Sequence, residues 1–217
     1  MAIIGNNKSL FSDDVDEVYR LSTDSSDEYD PRMKEYADTA EDKSVFSGAM
    51  TNTLVAEGGD AFVKHTNSAG GDTKFGIAQR YNPEIDVKNL TEDQARDIAY
   101  DKYWKKPKID LLPNDSIKAH VFDAFFLAGT HGIKAFQAAL KEAGADISPD
   151  GYIGEDTAKA TQVALDKVGE KVLHRMIAEN RLKEFEKVKG KNLENYNNHI
   201  KGWTNRALKM FELYGDK

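Results

Sequence analysis

Glu57 is the residue of this sequence that is best placed for acid–base chemistry. It lies in the segment Val55-Ala56-Glu57-Gly58-Gly59, with apolar residues before the carboxyl group and two glycines after it. The C-terminal end of a helix disfavours a further negative charge, and apolar neighbours disfavour it by desolvation. Both effects raise the pKa of a carboxyl group, which suits a general acid near neutral pH. The alternative interpretation is an ordinary surface glutamate before a glycine helix cap.

The elements on either side of Glu57 are a predicted helix and a predicted β-hairpin. Apolar residues lie on one face of a helix from about Asp42 to Glu57, and Gly58-Gly59 end it. Two short runs follow, Phe62–His65 and Thr73–Ile77, and they flank a cluster of turn-forming residues. This pattern predicts a small hairpin close to the glutamate.

From residue 91 onward the sequence has the apolar periodicity of helices. Thr91 and Gln94 have the spacing of a capping box at the first of them. The predicted helices cover about 91–104, 114–129, 131–143, 156–169, 170–189 and 193–214. The expected fold class is therefore mostly α, a helical bundle with one small β-hairpin lobe near Glu57.

The charge of the chain is concentrated at its N-terminal end. The 217 residues carry a net charge of -7; residues 1–50 hold 12 acidic and 5 basic side chains, and residues 51–217 hold 25 of each. An acidic pI near 5.3 argues against a nucleic-acid-binding protein. No apolar run approaches the ~20 residues of a membrane span, and the N-terminus lacks the pattern of a secretory signal.

Other kinds of catalytic site are not indicated. The chain has no cysteine, which excludes disulfides, cysteine-ligated zinc and thiol nucleophiles. Its five histidines are scattered without ligand spacing, and Gly70-Gly71-Asp72-Thr73-Lys74 lacks the spacing of a Walker loop. We therefore expect neither a metal ion nor a cofactor.

A series of short motifs runs along the chain in a fixed order: Glu57-Gly58-Gly59, Gly70-Gly71-Asp72-Thr73-Lys74-Phe75-Gly76-Ile77, Asn89-Leu90-Thr91, Tyr103-Trp104, Leu112-Pro113, Phe122-Asp123-Ala124 and Asp150-Gly151-Tyr152-Ile153-Gly154. In order and spacing they resemble glycoside hydrolase family 108, the lysozyme-like N-acetylmuramidases of phage endolysins and some bacteria. The resemblance covers about residues 45–205, and its C-terminal half corresponds to a predicted peptidoglycan-binding region.

The resemblance implies a lysozyme-like fold and cleavage of the β-1,4 bond between N-acetylmuramic acid and N-acetylglucosamine. It implies that Glu57 is the general acid and that Thr73 helps to hold the attacking water. Where the family has an aspartate, this chain has Ser68, which cannot act as a base. Three explanations stay open: the Ser68 and Thr73 hydroxyls hold the water, a nearby carboxylate (Asp72 or Asp60) replaces the aspartate, or activity is reduced or lost.

Several other residues are candidates for substrate contact. Gly58 and Gly59 leave space beside the catalytic glutamate, while Phe75 and Tyr81 either stack against a sugar or pack in the core. Asp123 lies within an apolar helix and needs partners, either in the cleft or bracing the β-lobe.

The predicted domains are an acidic arm over 1–44 and a muramidase domain over 45–217. The latter comprises a catalytic lobe over about 45–130 and a helical region over about 131–217 that contacts peptidoglycan. As a phage endolysin, the enzyme would pass from the host cytoplasm to the cell wall in the periplasm. The alternatives are a virion-associated lysozyme, docked to a phage structural protein through residues 1–44, and a catalytically inactive wall-binding or structural module.

Overall fold

The computed structural model of the chain describes residues 40–57 and 72–215. Gly58, Gly59, Ser68 and the predicted strand Phe62–His65 lie outside the described residues, as does most of the arm. The chain divides into two compact units on either side of the Asp110–Leu111 bond. We call the described residues up to 110 the N-terminal unit, and residues 111–215 the C-terminal unit.

The described part of the N-terminal unit has one long helix near its start and several short elements after it. Helix α1 spans Ala40–Glu57 and helix α2 spans Glu92–Ala99, which continues without a break into a π-helical segment, Tyr100–Lys105. Between α1 and α2 lie strands β1 (Thr73–Lys74) and β2 (Ile77–Ala78) and the 3-10 turns Gln79–Tyr81 and Val87–Asn89; a further 3-10 turn covers Ile109–Leu111.

The structure has an antiparallel β-hairpin of two-residue strands at the predicted run Thr73–Ile77. β1 and β2 pair antiparallel, with Thr73 opposite Ala78 and Lys74 opposite Ile77. Phe75 and Gly76 form the turn, and both have positive φ (51° and 74°), as in a type I′ hairpin turn. The prediction of Thr73–Ile77 as a single strand is therefore wrong, because this run contains a turn of its own. A pairing with Phe62–His65 falls outside the described residues.

The core of the N-terminal unit forms where α1 packs on α2 and on the π-helical segment. Phe46 contacts Tyr100 and Trp104 edge to face, with ring centroids 5.0 and 5.6 Å apart. The fully enclosed apolar side chains of this core include Met50, Ile77, Val87, Ala95 and Trp104.

The C-terminal unit is built from long helices. They are α3 (Asp115–Ala128), α4 (Thr130–Glu142), α5 (Glu155–Val168), α6 (Glu170–Lys191) and α7 (Leu193–Gly215). Helices α6 and α7 pack along each other, and α6 also packs on α4. Gly132 lets α4 approach α3 closely, since a Cβ atom there would lie 2.2 Å from the carbonyl oxygen of Ala124.

The predicted helices agree closely with those of the structure. Thr91 and Gln94 form the expected capping box at α2, and the Asn114 side chain caps α3 by accepting from the Ile117 amide. The mostly α fold class with a small antiparallel β element is confirmed.

Candidate active site

Glu57 is the last residue of α1, at the helix end that the sequence predicted. Its side chain lies outside the described part of the chain, but the anchoring of its helix is clear. Near the start of α1, the buried carboxylate of Asp42 accepts hydrogen bonds from Trp104 Nε1 at 3.0 Å and Tyr100 Oη at 3.3 Å. Further along α1, Thr51 Oγ1 accepts a hydrogen bond from Arg96 Nη2 of α2 at 3.1 Å. These contacts tie α1 to α2 and the π-helical segment.

Asp72 and Thr73 lie together at the open end of the hairpin, and both are partly exposed. Thr73 faces Ala78 across the two strands, so a single methyl group stands opposite its side chain. The Asp72 carbonyl accepts from the Gln79 amide at 2.8 Å, which closes the base of the hairpin.

The side chain of Gln79 fastens the hairpin to the segment that follows it. Its Nε2 atom donates to the carbonyl oxygens of Asn82 at 2.9 Å and Ile85 at 2.6 Å, and its Oε1 atom accepts from the Val87 amide at 3.2 Å. One amide group thus satisfies three main-chain groups in a segment without regular secondary structure.

Asn82 holds the outer edge of β2. Its side chain is fully buried; Nδ2 donates to the Ala78 carbonyl at 2.9 Å, and Oδ1 accepts from Lys102 Nζ at 2.6 Å. Lys102 also pairs with Glu84 at 2.9 Å. The main-chain hydrogen bond at Glu84 and the bond from Lys102 lower the pKa of the Glu84 carboxyl group below its usual value.

The candidate substrate-contacting aromatics have different surroundings. Phe75 is only 7% exposed, and Lys74 Nζ lies 5.4 Å from the centre of its ring, which favours the packing interpretation. Tyr81 is partly exposed and ends the 3-10 turn after β2. Gly58, Gly59 and Ser68 lie outside the described residues.

Asp123 has partners that the sequence did not predict. It is fully buried in α3 and forms ion pairs with Arg181 of α6 at 2.8 Å and Arg206 of α7 at 2.9 Å. Burial alone would raise the pKa of Asp123, but the charges and hydrogen bonds of Arg206 and Arg181 outweigh it and lower the pKa to about 2. These pairs brace the C-terminal helices, whereas we expected the partners of Asp123 in the cleft or in the β-lobe.

A histidine pair lies beside this ion-pair cluster. His120 Nδ1 and His174 Nδ1 are 3.0 Å apart, and the Ser116 hydroxyl is 2.8 Å from His174 Nε2. Burial lowers the pKa of His174 to about 4, against the opposing charge of Glu170. Burial, and then the positive charge of Arg181, lower the pKa of His120 well below its usual value. Both rings are therefore neutral at pH 7.

The described residues contain no group of three or more side chains suited to bind a metal ion. Within the same ranges, 40–57 and 72–215, no helix is both long and apolar enough to cross a membrane.

The sequence analysis missed Gln79, Asn82 and Lys102 as residues that shape this site. The dipeptide Asn82-Pro83 signals a turn, but it does not indicate that the asparagine side chain is buried. A polar amide directly after a strand was the available signal, because irregular backbone needs hydrogen-bond partners.

Comparisons with known proteins agree with this architecture. Residues 50–129 match the family model of glycosyl hydrolase 108, and residues 131–208 match that of a predicted peptidoglycan domain. A solved structure, SagA of Brucella abortus, is similar to this chain with a TM-score of 0.61 and 24% sequence identity, over 81% of this chain and 98% of that one. The comparison with curated proteins gave no match.

The structural similarity supports the lysozyme-like fold, and the two family matches together span most of residues 50–208. The chain is therefore a glycoside hydrolase that acts on peptidoglycan, with a glycosyl hydrolase 108 domain followed by a predicted peptidoglycan domain.

Proposed function

We propose that this chain is an N-acetylmuramidase that cleaves the β-1,4 bond between N-acetylmuramic acid and N-acetylglucosamine, with Glu57 as its general acid. The observation that carries the proposal is the position of Glu57 at the end of a firmly anchored helix, within the glycosyl hydrolase 108 match. A carboxylic acid there protonates the glycosidic oxygen as the bond to the sugar breaks.

Water attacks the anomeric carbon from the opposite face in the proposed step. Thr73, with Ser68 or Asp72, positions this water, and direct displacement inverts the configuration. Support comes from the hairpin, which places Asp72 and Thr73 side by side and partly exposed. Inversion requires that water fit between acid and base, with carboxyl groups ~6.5–9.5 Å apart in enzymes that use two of them.

The first prediction concerns Glu57→Gln, which removes the proton donor and keeps the shape of the side chain. We expect the rate of peptidoglycan hydrolysis to fall by about 100-fold or more, since general acid catalysis typically contributes 10²–10⁴-fold. Initial rates of release from dye-labelled, purified peptidoglycan measure this effect.

Glu41→Gln is the matched control, because Glu41 is an exposed residue in the first turn of the same helix. It should keep nearly full activity. Full activity in Glu57→Gln would contradict the assignment of the general acid.

Two product measurements test the finer claims. Borohydride reduction followed by mass spectrometry identifies the new reducing end, which should be N-acetylmuramic acid. Proton NMR of the first product gives its anomeric configuration, which should be α if the β bond is cleaved with inversion.

A comparison of the hydrolysis rates of Asp72→Asn and Ser68→Ala distinguishes the two candidates that assist Thr73.

We further propose that the enzyme acts in phage-mediated wall degradation and that residues 1–44 form a separate acidic arm. The segregation of charge supports the separate arm, since the excess of acidic residues lies within residues 1–50. Mass spectrometry of purified virions separates an endolysin, which should be absent from them, from a virion-associated lysozyme docked through this arm.

A further inference from the structure

We propose that Asn82 is a positioning residue for Thr73: its buried amide joins strand β2 to Lys102 and thereby sets where the hairpin presents the threonine hydroxyl. The proposal rests on the role proposed above for Thr73. Asn82 itself touches no reacting group and acts through the hairpin.

The outer edge of β2 is formed by the main-chain groups of Ala78. Thr73 and Ala78 are directly opposed, and the neighbouring pair Asp72 and Gln79 is joined by the bond from the Gln79 amide to the Asp72 carbonyl. In an antiparallel ladder, the main-chain groups of a residue such as Ala78 then point away from the partner strand. The Ala78 carbonyl, at the N-cap of the 3-10 turn Gln79–Tyr81, accepts from Asn82 Nδ2, so this side chain ties the outer edge of β2 to the segment that follows it.

Lys102 places a positive charge on the other side of the Asn82 amide. Lys102 Nζ donates to Asn82 Oδ1 at 2.6 Å, a short, charge-assisted bond. An ammonium group at the amide oxygen polarises the amide and makes its N–H group a stronger donor toward the Ala78 carbonyl. The Asn82 side chain is fully buried, so its amide depends on these two partners, whereas Lys102 is partly exposed and also pairs with Glu84.

Lys102 lies in the π-helical segment Tyr100–Lys105, and Tyr100 and Trp104 of the same segment donate to Asp42 of α1. One segment therefore holds both the helix that ends at Glu57 and, through Asn82, the strand pair that carries Thr73. Catalytic geometry depends on such supports, since a displacement of about 1 Å can cost about 100-fold in rate.

The test begins with Asn82→Asp, which keeps the shape and the acceptor for Lys102 but replaces the donor to Ala78 with an oxygen. We expect kcat on dye-labelled peptidoglycan to fall about tenfold with KM within about twofold of wild type. Asn89→Asp is the matched control: Asn89 is exposed, its amide donates to Asp86, and the substitution adds the same charge. It should retain kcat.

A double-mutant cycle with Thr73→Ala separates positioning from a general structural effect. If Asn82 acts through Thr73, Asn82→Asp should lower kcat less than about twofold in the Thr73→Ala background. An equal loss in both backgrounds, or wild-type kcat for Asn82→Asp, would overturn the inference. Wild-type kcat for Thr73→Ala would instead contradict the role proposed for Thr73, and loss of activity in Glu57→Gln would still support the hydrolase.

A second pair of variants covers the case in which Asn82→Asp fails to fold by circular dichroism. Lys102→Met removes the donor to Asn82 Oδ1 and keeps an apolar stem, whereas Lys102→Arg keeps a cationic donor. We expect kcat to fall several-fold with Met and to recover most of that loss with Arg. Equal kcat values for the two variants would overturn the inference.

Discussion

In the N-terminal unit, Gln79 and Asn82 bond to main-chain groups of an irregular segment, whereas in the C-terminal unit the buried carboxylate of Asp123 bonds to side chains of other helices. The partly buried Gln79 bonds to two carbonyls and one amide around a 3-10 turn, and the buried Asn82 bonds to the Ala78 carbonyl at the end of β2. Asp123 instead pairs with Arg181 and Arg206, which lie on two other helices.

The difference follows from the regularity of the backbone. A helix satisfies its own main-chain groups except at its ends, so side chains buried between helices need only each other. Gln137 shows that the regularity of the neighbouring backbone decides the hydrogen-bond partner, and not the unit in which the residue lies. It lies in α4, yet its amide bonds to the Gly151 amide and the Tyr152 carbonyl, in the irregular segment before α5.

Asp123→Asn should have the largest effect on stability of the changes that probe this comparison. It leaves two buried guanidinium groups without a compensating carboxylate, and breaking a buried ion pair in this way costs about 3–5 kcal/mol. Urea unfolding monitored by circular dichroism measures the loss.

Asp115→Asn is its control on the same helix, because Asp115 forms an exposed pair with Lys118. It should change the free energy of unfolding by less than about 1 kcal/mol. Similar losses for the two variants would show that burial does not distinguish these ion pairs.

Acid should weaken the C-terminal unit through the His120–His174 pair. The pKa of His174 is lowered to about 4 in the folded chain, so between that pH and its usual value near 6.5 the unfolded chain binds more protons. Stability therefore rises with pH across this window and falls by about 3 kcal/mol as the pH drops from 6.5 to 4.

Urea unfolding at several pH values between 4 and 7 tests this prediction, with His174→Gln as the comparison. The variant should have a flatter pH dependence, because one titrating ring is gone. Asp123 contributes only at lower pH, since its pKa is lowered to about 2. The same slope in both proteins over pH 4.5–6.5 would exclude the pair as its source.

Gln79→Glu should have the smallest of these effects, about 2 kcal/mol. A carboxylate cannot donate to the Asn82 and Ile85 carbonyls, so two hydrogen bonds of about 1 kcal/mol each are lost, while each carbonyl keeps one main-chain donor at 3.1 Å. Thermal unfolding of the variant measures the loss.

Gln94→Glu is the control for this change in the same unit. Gln94 is exposed, and its side-chain oxygen accepts from the Thr91 amide in the capping box, where a glutamate serves equally well. Stability should stay within about 0.5 kcal/mol of wild type. Equal losses for the two glutamates would mean that the added charge, rather than the lost donor, causes the effect.

Much of the fold could be predicted because its signals are local. Apolar periodicity and capping residues such as Thr91 and Asn114 placed the helices within a few residues of their observed ends. The hairpin was harder, since two-residue strands show no alternation and Phe75 takes a positive φ that its residue type does not suggest.

The sequence by itself determined that Glu57 ends a helix, that the net charge lies near the N-terminus, and that Asp123 needs partners. These conclusions depend on residues close together in the chain. Only the tertiary structure decided which partners are used: Arg181 and Arg206 lie 58 and 83 residues beyond Asp123, and Lys102 lies 20 beyond Asn82. A buried polar side chain must find a hydrogen bond, but the packing of distant elements selects its partner.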